Sequence, residues 1–164
     1  MLERTLVLLK PDTVARGIIG EIITRLEKPG LKLVGAKLIQ ADKKRALKHY
    51  VAEDIVARRG EHIHKLLVDM LLKGPVMALC LEGVSAVEIV RKLCGATEPT
   101  QAAAGTIRGY YSHISYAHAD AKKKVIYNVI HASANPEEAK AEIKVWFTDD
   151  ELVDYQLAAE HFVF

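Results

Sequence analysis

The run RTLVLL, from Arg4 to Leu9, is followed at once by Lys10-Pro11-Asp12. A short stretch of β-branched residues and leucines predicts a buried strand, and a proline directly behind it predicts a turn. The strand therefore delivers Lys10 to its C-terminal end. From there the chain alternates between two periodicities. Ile18, Ile19, Ile22, Ile23 and Leu26 recur at helical spacing until Pro29-Gly30 stops them, and LKLVGAKLIQ reads as a second strand. Asp42 is placed to cap a basic helix over ADKKRALKHYV.

A further helix is predicted over Arg59 to Leu72, with Ile63, Leu66, Leu67, Met70 and Leu71 on one side and Gly74-Pro75 closing it. VMALCLEG predicts a third strand, SAVEIVRKLCG an amphipathic helix capped by Ser85, and VIYNVIHAS a fourth strand. NPEEAKAEIKVWF predicts a last helix with Pro136 in its first turn. Ala96 to Tyr127 is long and mixed, and loops of that length are usually functional or disordered. The order suggests an α+β sandwich, with helices on one face of a mostly antiparallel sheet.

A chain of 164 residues suits a single domain, 1–164, with one core. Its apolar runs, such as Val76 to Leu81, fall far short of the roughly 18 to 20 residues of a membrane span, and the N-terminus lacks the pattern of a secretory signal. A cytoplasmic protein is expected. Cys80 and Cys94 have no metal-ligand spacing and read as buried thiols, and a net charge of +2 makes no case for duplex DNA.

Chemistry gathers near the last predicted strand. His131 stands at its end, flanked by the small residues Ala132 and Ser133, and the next helix carries Glu142. A carboxylate on one ring nitrogen fixes the tautomer and leaves the other nitrogen free as a nucleophile. Alone this is a weak signal, since most such histidines are structural. Arg91, Thr97 and Arg108 add what a polyphosphate needs, namely guanidinium forks and a hydroxyl for its acceptor oxygens. No GxxxxGK[ST] run is present, so any phosphate site is built from side chains. The histidines His62, His64, His113 and His118 lack a carboxylate or thiolate partner set for a metal.

TLVLLKPD, RGIIGEII, GPVMALCLEG, LCGATEP, AAAGTIRG and NVIHAS, in this order, resemble the nucleoside diphosphate kinase family over nearly the whole chain. The resemblance implies a ferredoxin-like antiparallel sheet covered by helices, and a ping-pong reaction. The γ-phosphoryl group of a nucleoside triphosphate passes to a histidine and then to a nucleoside diphosphate, with Mg2+ held by the substrate phosphates. On this likeness His131 is the nucleophile, oriented by Glu142 and Ser133. Lys10 and Asn128 match contacts to the ribose, Lys10 also nearing the transferred phosphate. Tyr50 matches the tyrosine bordering the transfer site, and Arg91, Thr97 and Arg108 match the phosphate clamp. A homo-oligomer is implied, a hexamer being favoured, to which the aromatic C-terminal tail LAAEHFVF suits itself as a docking segment.

Three departures bear on the reading. Ala134 replaces the aspartate that ends the family motif. The stretch from Tyr50 to Gly74 is longer than usual and lacks the phenylalanine that stacks on the base, which leaves Ile63, or a flanking imidazole of His62 or His64, to cover it. Residues 110–127 form a lengthened loop with three tyrosines up to position 116, read as an enlarged subunit interface, with nucleic acid possible but not indicated. The alternative function is a catalytically weakened nucleotide- or nucleic-acid-binding relative. The intact set of His131, Glu142, Lys10, Arg91 and Arg108 speaks against it.

Overall fold

The computed structural model describes residues 2–163. In chain order its elements are β1 (Leu2–Leu9), α1 (Pro11–Ala15), α2 (Ile19–Glu27), β2 (Lys32–Ile39), α3 (Lys43–His49), α4 (Ala52–Arg59), α5 (Glu61–Leu72) and β3 (Val76–Val84). There follow α6 (Ala86–Cys94), α7 (Ile107–Tyr111), α8 (Tyr116–Ala121), β4 (Ile130–Ala132), α9 (Pro136–Trp146) and α10 (Glu160–Val163). The four strands make one sheet in the order β2-β3-β1-β4, with every neighbouring pair antiparallel. This is the ferredoxin-like arrangement.

Helices cover both faces of that sheet rather than one. The reason lies in β1, where Leu6, Val7, Leu8 and Leu9 are all fully buried, so side chains of both parities need cover. Leu6 and Leu8 pack with Ala46, Ile55, Met70 and Trp146 from α3, α4, α5 and α9. Val7 and Leu9 pack on the other face with Ile22, Leu26, Val90 and Ile107 from α2, α6 and α7. Each fully buried leucine contributes on the order of 1.5–3 kcal/mol relative to exposure.

The remaining differences from the sequence reading are local. The helical stretch before Gly74 is two helices, α4 and α5, because Gly60 between them sits at φ +84°, a conformation that breaks a helix and suits glycine. Ser85 does not cap α6 through its side chain. It adopts φ +52°, and the Glu3 carboxylate accepts from Val87 N at 3.0 Å in its place. The segment from Ala96 to Tyr127 is not an open loop: Thr106 caps α7 by accepting from Gly109 N, and Ser115 caps α8 by accepting from His118 N. Asp42 caps α3 as read, accepting from Arg45 N at 2.6 Å. Phe162 in the C-terminal tail is 79% exposed, while Phe164 lies outside the described residues.

Candidate active site

The fourth strand is only three residues long because the chain kinks just before it. Val129 sits at φ +63°, and Ile130 N donates back to Asn128 O at 2.7 Å, a γ-turn closure that a β-branched residue adopts at a cost of about 1–3 kcal/mol. The loop and helix after β1 hold it there. Lys10 N and Thr13 Oγ1 both donate to Val129 O, at 2.9 and 2.5 Å, and Val129 N donates to Asp12 Oδ2 at 3.1 Å. The kink aims the two residues around it. Asn128 turns to Lys10, whose Nζ donates to its Oδ1 at 2.5 Å, and the Asn128 amide donates to Thr97 O at 2.7 Å. His131 pairs with Leu8 of β1 and so faces the side of the sheet covered by α3 and α9.

On α9 the inward stripe reads Ala139, Glu142, Trp146, a glutamate where an apolar residue would be ordinary. Its Oε1 accepts from His131 Nε2 at 2.8 Å, and its Oε2 accepts from Ser133 Oγ at 2.6 Å. This network puts the His131 proton on Nε2 and leaves the Nδ1 lone pair free. Burial, and then the positive charge of Lys10, push the His131 pKa down to about 3, so the ring is neutral at pH 7. Burial raises the Glu142 carboxyl above its usual range, while His49 and the Ser133 hydroxyl pull it back. The His131 side chain keeps 19% of its surface exposed, enough to be reached from the cleft above it.

That cleft, about 760 Å³ in volume, is lined with positive charge. Lys10 is almost buried, and desolvation, followed by repulsion from Arg108, brings its pKa down to about 8. A lysine discouraged in this way favours an anion beside it. Arg108 on α7 donates to Gly95 O at 2.7 Å and to Ile130 O at 2.9 Å, which ties the loop after α6 to β4, and its Nε has no partner among the described residues. Burial lowers the Arg108 pKa as well.

The cleft brings together Lys10, Tyr50, Arg91, Thr97, Arg108, Asn128, His131 and Glu142. Ser133 stands behind Glu142, fully buried. Ile63 does not line this cleft; it lines another with His62, Leu66, Lys123 and Lys124, while Leu67, one turn further along α5, lines the first. A further ring lining the first cleft is Tyr116, with the Arg59 guanidinium 4.4 Å from its ring centre and Ile55, Leu67 and Ile126 in the same lining. The sequence reading also passed over His49. Its only signal is its place beside Tyr50 and three residues after Ala46, on the buried side of α3.

Ala134, where the motif departs from its usual aspartate, has an exposed side chain, and its N–H donates to the Glu138 carboxylate. Asn135 in turn accepts from Glu138 N at 2.8 Å, so the start of α9 is closed without an aspartate at 134.

The nucleoside diphosphate kinase family profile matches residues 3–152. The chain belongs to the nucleoside diphosphate kinase family. A nucleoside diphosphate kinase of Borreliella burgdorferi is 47% identical over 156 residues, which span 95% of this chain and 93% of the relative. One of Pyrococcus horikoshii is 49% identical over 161 residues, spanning 98% and 94%. Among solved structures, the Borrelia burgdorferi nucleoside diphosphate kinase, a transition-state mimic with bound vanadate and ADP, superposes with a TM-score of 0.97 at 46% identity, covering 99% of this chain and 96% of that one. A halophilic nucleoside diphosphate kinase from Halobacterium salinarum in complex with CDP does so with a TM-score of 0.84 at 40% identity, covering 100% and 99%. In the family's Asn-x-x-His-(Gly/Ala)-Ser-Asp motif, Asn128, His131 and Ser133 match and Ala134 stands at the final position.

Proposed function

We propose that this chain is a nucleoside diphosphate kinase that carries the γ-phosphoryl group from a nucleoside triphosphate to a nucleoside diphosphate through a phosphohistidine at His131 Nδ1. The observation that carries the reading is the Ser133–Glu142–His131 chain of hydrogen bonds, which leaves a neutral ring nitrogen unoccupied at the floor of a cleft lined by Lys10, Arg91 and Arg108. In the first half-reaction the Nδ1 lone pair forms a bond to the γ-phosphorus while the bond from phosphorus to the bridging oxygen breaks, and the nucleoside diphosphate leaves with that electron pair. The ring gains positive charge, which Glu142 meets through Nε2–H. In the second, a terminal oxygen of the acceptor diphosphate attacks the same phosphorus, and Nδ1 recovers its lone pair.

Positioning and charge neutralisation carry most of phosphoryl transfer, and the cleft supplies both. Lys10, Arg91, Thr97 and Arg108 hold the phosphates, Lys10 and Asn128 the ribose, and Tyr50 borders the transfer site. Mg2+ bound to the substrate phosphates would neutralise part of their charge, and Asp54 and Glu137, which line the cleft, would offer oxygen acceptors to its water shell. The base stacks on Tyr116, in the place for which the sequence offered Ile63 or an imidazole of His62 or His64; Ile63 and His62 line the other cleft. Stacking discriminates little among bases, and a broad nucleotide range follows. The vanadate and ADP held by the Borrelia burgdorferi relative are the kind of ligand this cleft suits.

Self-association, a hexamer being favoured, is part of the proposal, supported by the exposed Tyr110 and Phe162 and by the edge position of β2. A cytoplasmic site is proposed with it, where nucleotide pools are exchanged. No helix among the described residues is long and apolar enough to cross a membrane. The deciding experiment is incubation with γ-labelled ATP and Mg2+ without acceptor, followed by mapping of the acid-labile label. Label on His131 that chases into GTP on addition of GDP supports the kinase; folded, nucleotide-binding protein that takes no label defeats it.

A further inference from the structure

His49 closes the buried end of α3, and neither half-reaction makes use of it. Its ring stands edge-on to His131, with centroids 4.5 Å apart and planes at 86°, and is wedged between Tyr50 at 4.7 Å and Trp146 at 5.7 Å. The side chain has no exposed surface, and neither ring nitrogen has a hydrogen-bond partner among the described residues. A neutral imidazole always carries one N–H, and a buried donor left unpaired is costly. Packing alone would be served by phenylalanine or leucine, so the imidazole calls for a use.

The nearest acceptor supplies one. His49 Nδ1 lies 3.3 Å from Glu142 Oε1, the same oxygen that accepts from His131 Nε2 at 2.8 Å, but it is poorly aligned for a bond in this state. Oε2 is fixed by Ser133, whereas Oε1 has a second lone pair and no second donor. A small rotation of the carboxylate brings His49 into line. Charge decides against the other use of the trio, a bound cation. The ligand atoms of His49, His131 and Glu142 lie within 4.8 Å of one another, but Lys10, Arg91 and Arg108 set a positive field around them.

We propose that His49 is a positioning residue for phosphoryl transfer, its Nδ1–H engaging Glu142 Oε1 when His131 carries the phosphoryl group and holding the carboxylate on the His131 Nε2 axis. This rests on the kinase reading above. Phosphorylation puts positive charge on the His131 ring and draws Glu142 toward it. The second donor keeps that pull from swinging Oε1 out of line, so the phosphoenzyme forms and discharges from one geometry.

Three substitutions in the full chain test it. His49→Asn places an amide N–H near the position of Nδ1, His49→Gln near that of Nε2, and His49→Phe keeps the bulk with no donor. With labelled ATP and Mg2+, and then GDP, the rates of phosphohistidine formation and discharge are read by rapid quench, with nucleotide Kd measured alongside. The Nε2 nitrogen shift of phosphorylated His131 is read by NMR. His49→Phe is expected to slow both half-reactions about tenfold, the net value of one hydrogen bond, with Kd unchanged. His49→Asn is expected to restore most of the rate and the Nε2 shift, and His49→Gln neither. Wild-type rates in His49→Phe, or equal slowing in all three that follows their loss of melting temperature, would overturn the proposal. If His49→Phe does not fold, the Asn and Gln pair decides. Absence of label on His131 in the parent chain overturns the kinase reading itself, whereas label at unchanged rates in the variants removes His49 alone.

Discussion

Lys10 Nζ donates to Asn128 Oδ1 at 2.5 Å, joining the end of the first strand to a residue 118 positions later, beside the strand that carries His131. The bond forms in a nearly dry setting, and the lysine is charged there at a cost. Its pKa of about 8 lies well below the ordinary 10.5.

A bound polyphosphate should undo that shift. Nucleotide binding is expected to raise the Lys10 pKa and take up a proton where the pH lies between the free and bound values, from about 8 toward 10.5, with little uptake at pH 7. Calorimetry of ADP binding in buffers of different ionisation enthalpy reads it directly. Lys10→Met should abolish the uptake, and a parent chain showing none at pH 9 would contradict a desolvated lysine at the phosphates.

Glu142→Gln keeps shape and loses charge. It should lower turnover roughly 10–100-fold with nucleotide affinity little changed, because the interaction it weakens grows as His131 takes on positive charge. Ser133→Ala removes only the bond to Oε2 and should cost less. Steady-state kcat and KM separate the cases, and equal effects on KM and kcat/KM alone would point to ground-state binding instead.

Tyr116→Ala should raise KM for nucleotides about tenfold or more while kcat holds, as one lost stacking contact is worth ~1–3 kcal/mol. Tyr116→Phe should be close to the parent, and so should Ile63→Ala, since Ile63 lines another cleft. A strong Ile63 effect with a silent Tyr116 would return the base to α5.

Acid should weaken the fold early. His131 and His49 are neutral in the folded chain, their pKa values depressed to about 3 from 6.5 chiefly by burial, so between those limits the unfolded chain binds protons that the folded chain does not. Stability is therefore present above pH 6.5 and is lost as pH falls, by about 1.4 kcal/mol per pH unit per proton at most, with the raised Glu142 carboxyl working the other way. Melting temperature should drop from pH 7 to pH 5, and less steeply in His49→Phe. A flat profile in the parent chain would mean that these rings are not held neutral.

Much of the site was legible in the sequence because its residues sit at the ends of strongly patterned elements. Lys10 follows an apolar run cut by proline, which delivers it to the C-terminal end of β1; His131, read as closing the last strand, is the middle residue of β4, whose antiparallel start meets that same end of the sheet. Glu142 is legible as a glutamate eleven residues beyond the histidine, just past the middle of an amphipathic helix. The short helices α7 and α8 and the brevity of β4 were not, since helices of five and six residues have too few turns for a period and the kink at Val129 has no glycine to announce it.

Local pattern by itself determined the strands, the amphipathic helices, and the residue types that gather charge and a nucleophile. Tertiary structure alone decided which partners meet. The burial of both parities of β1 calls helices to both faces, which puts His49 beside Glu142 and Arg59 over Tyr116, while Ile63 falls to a different cleft. Those pairings depend on distances between residues far apart in the chain, set by close packing against a twisted sheet, and periodicity along one segment carries no information about them.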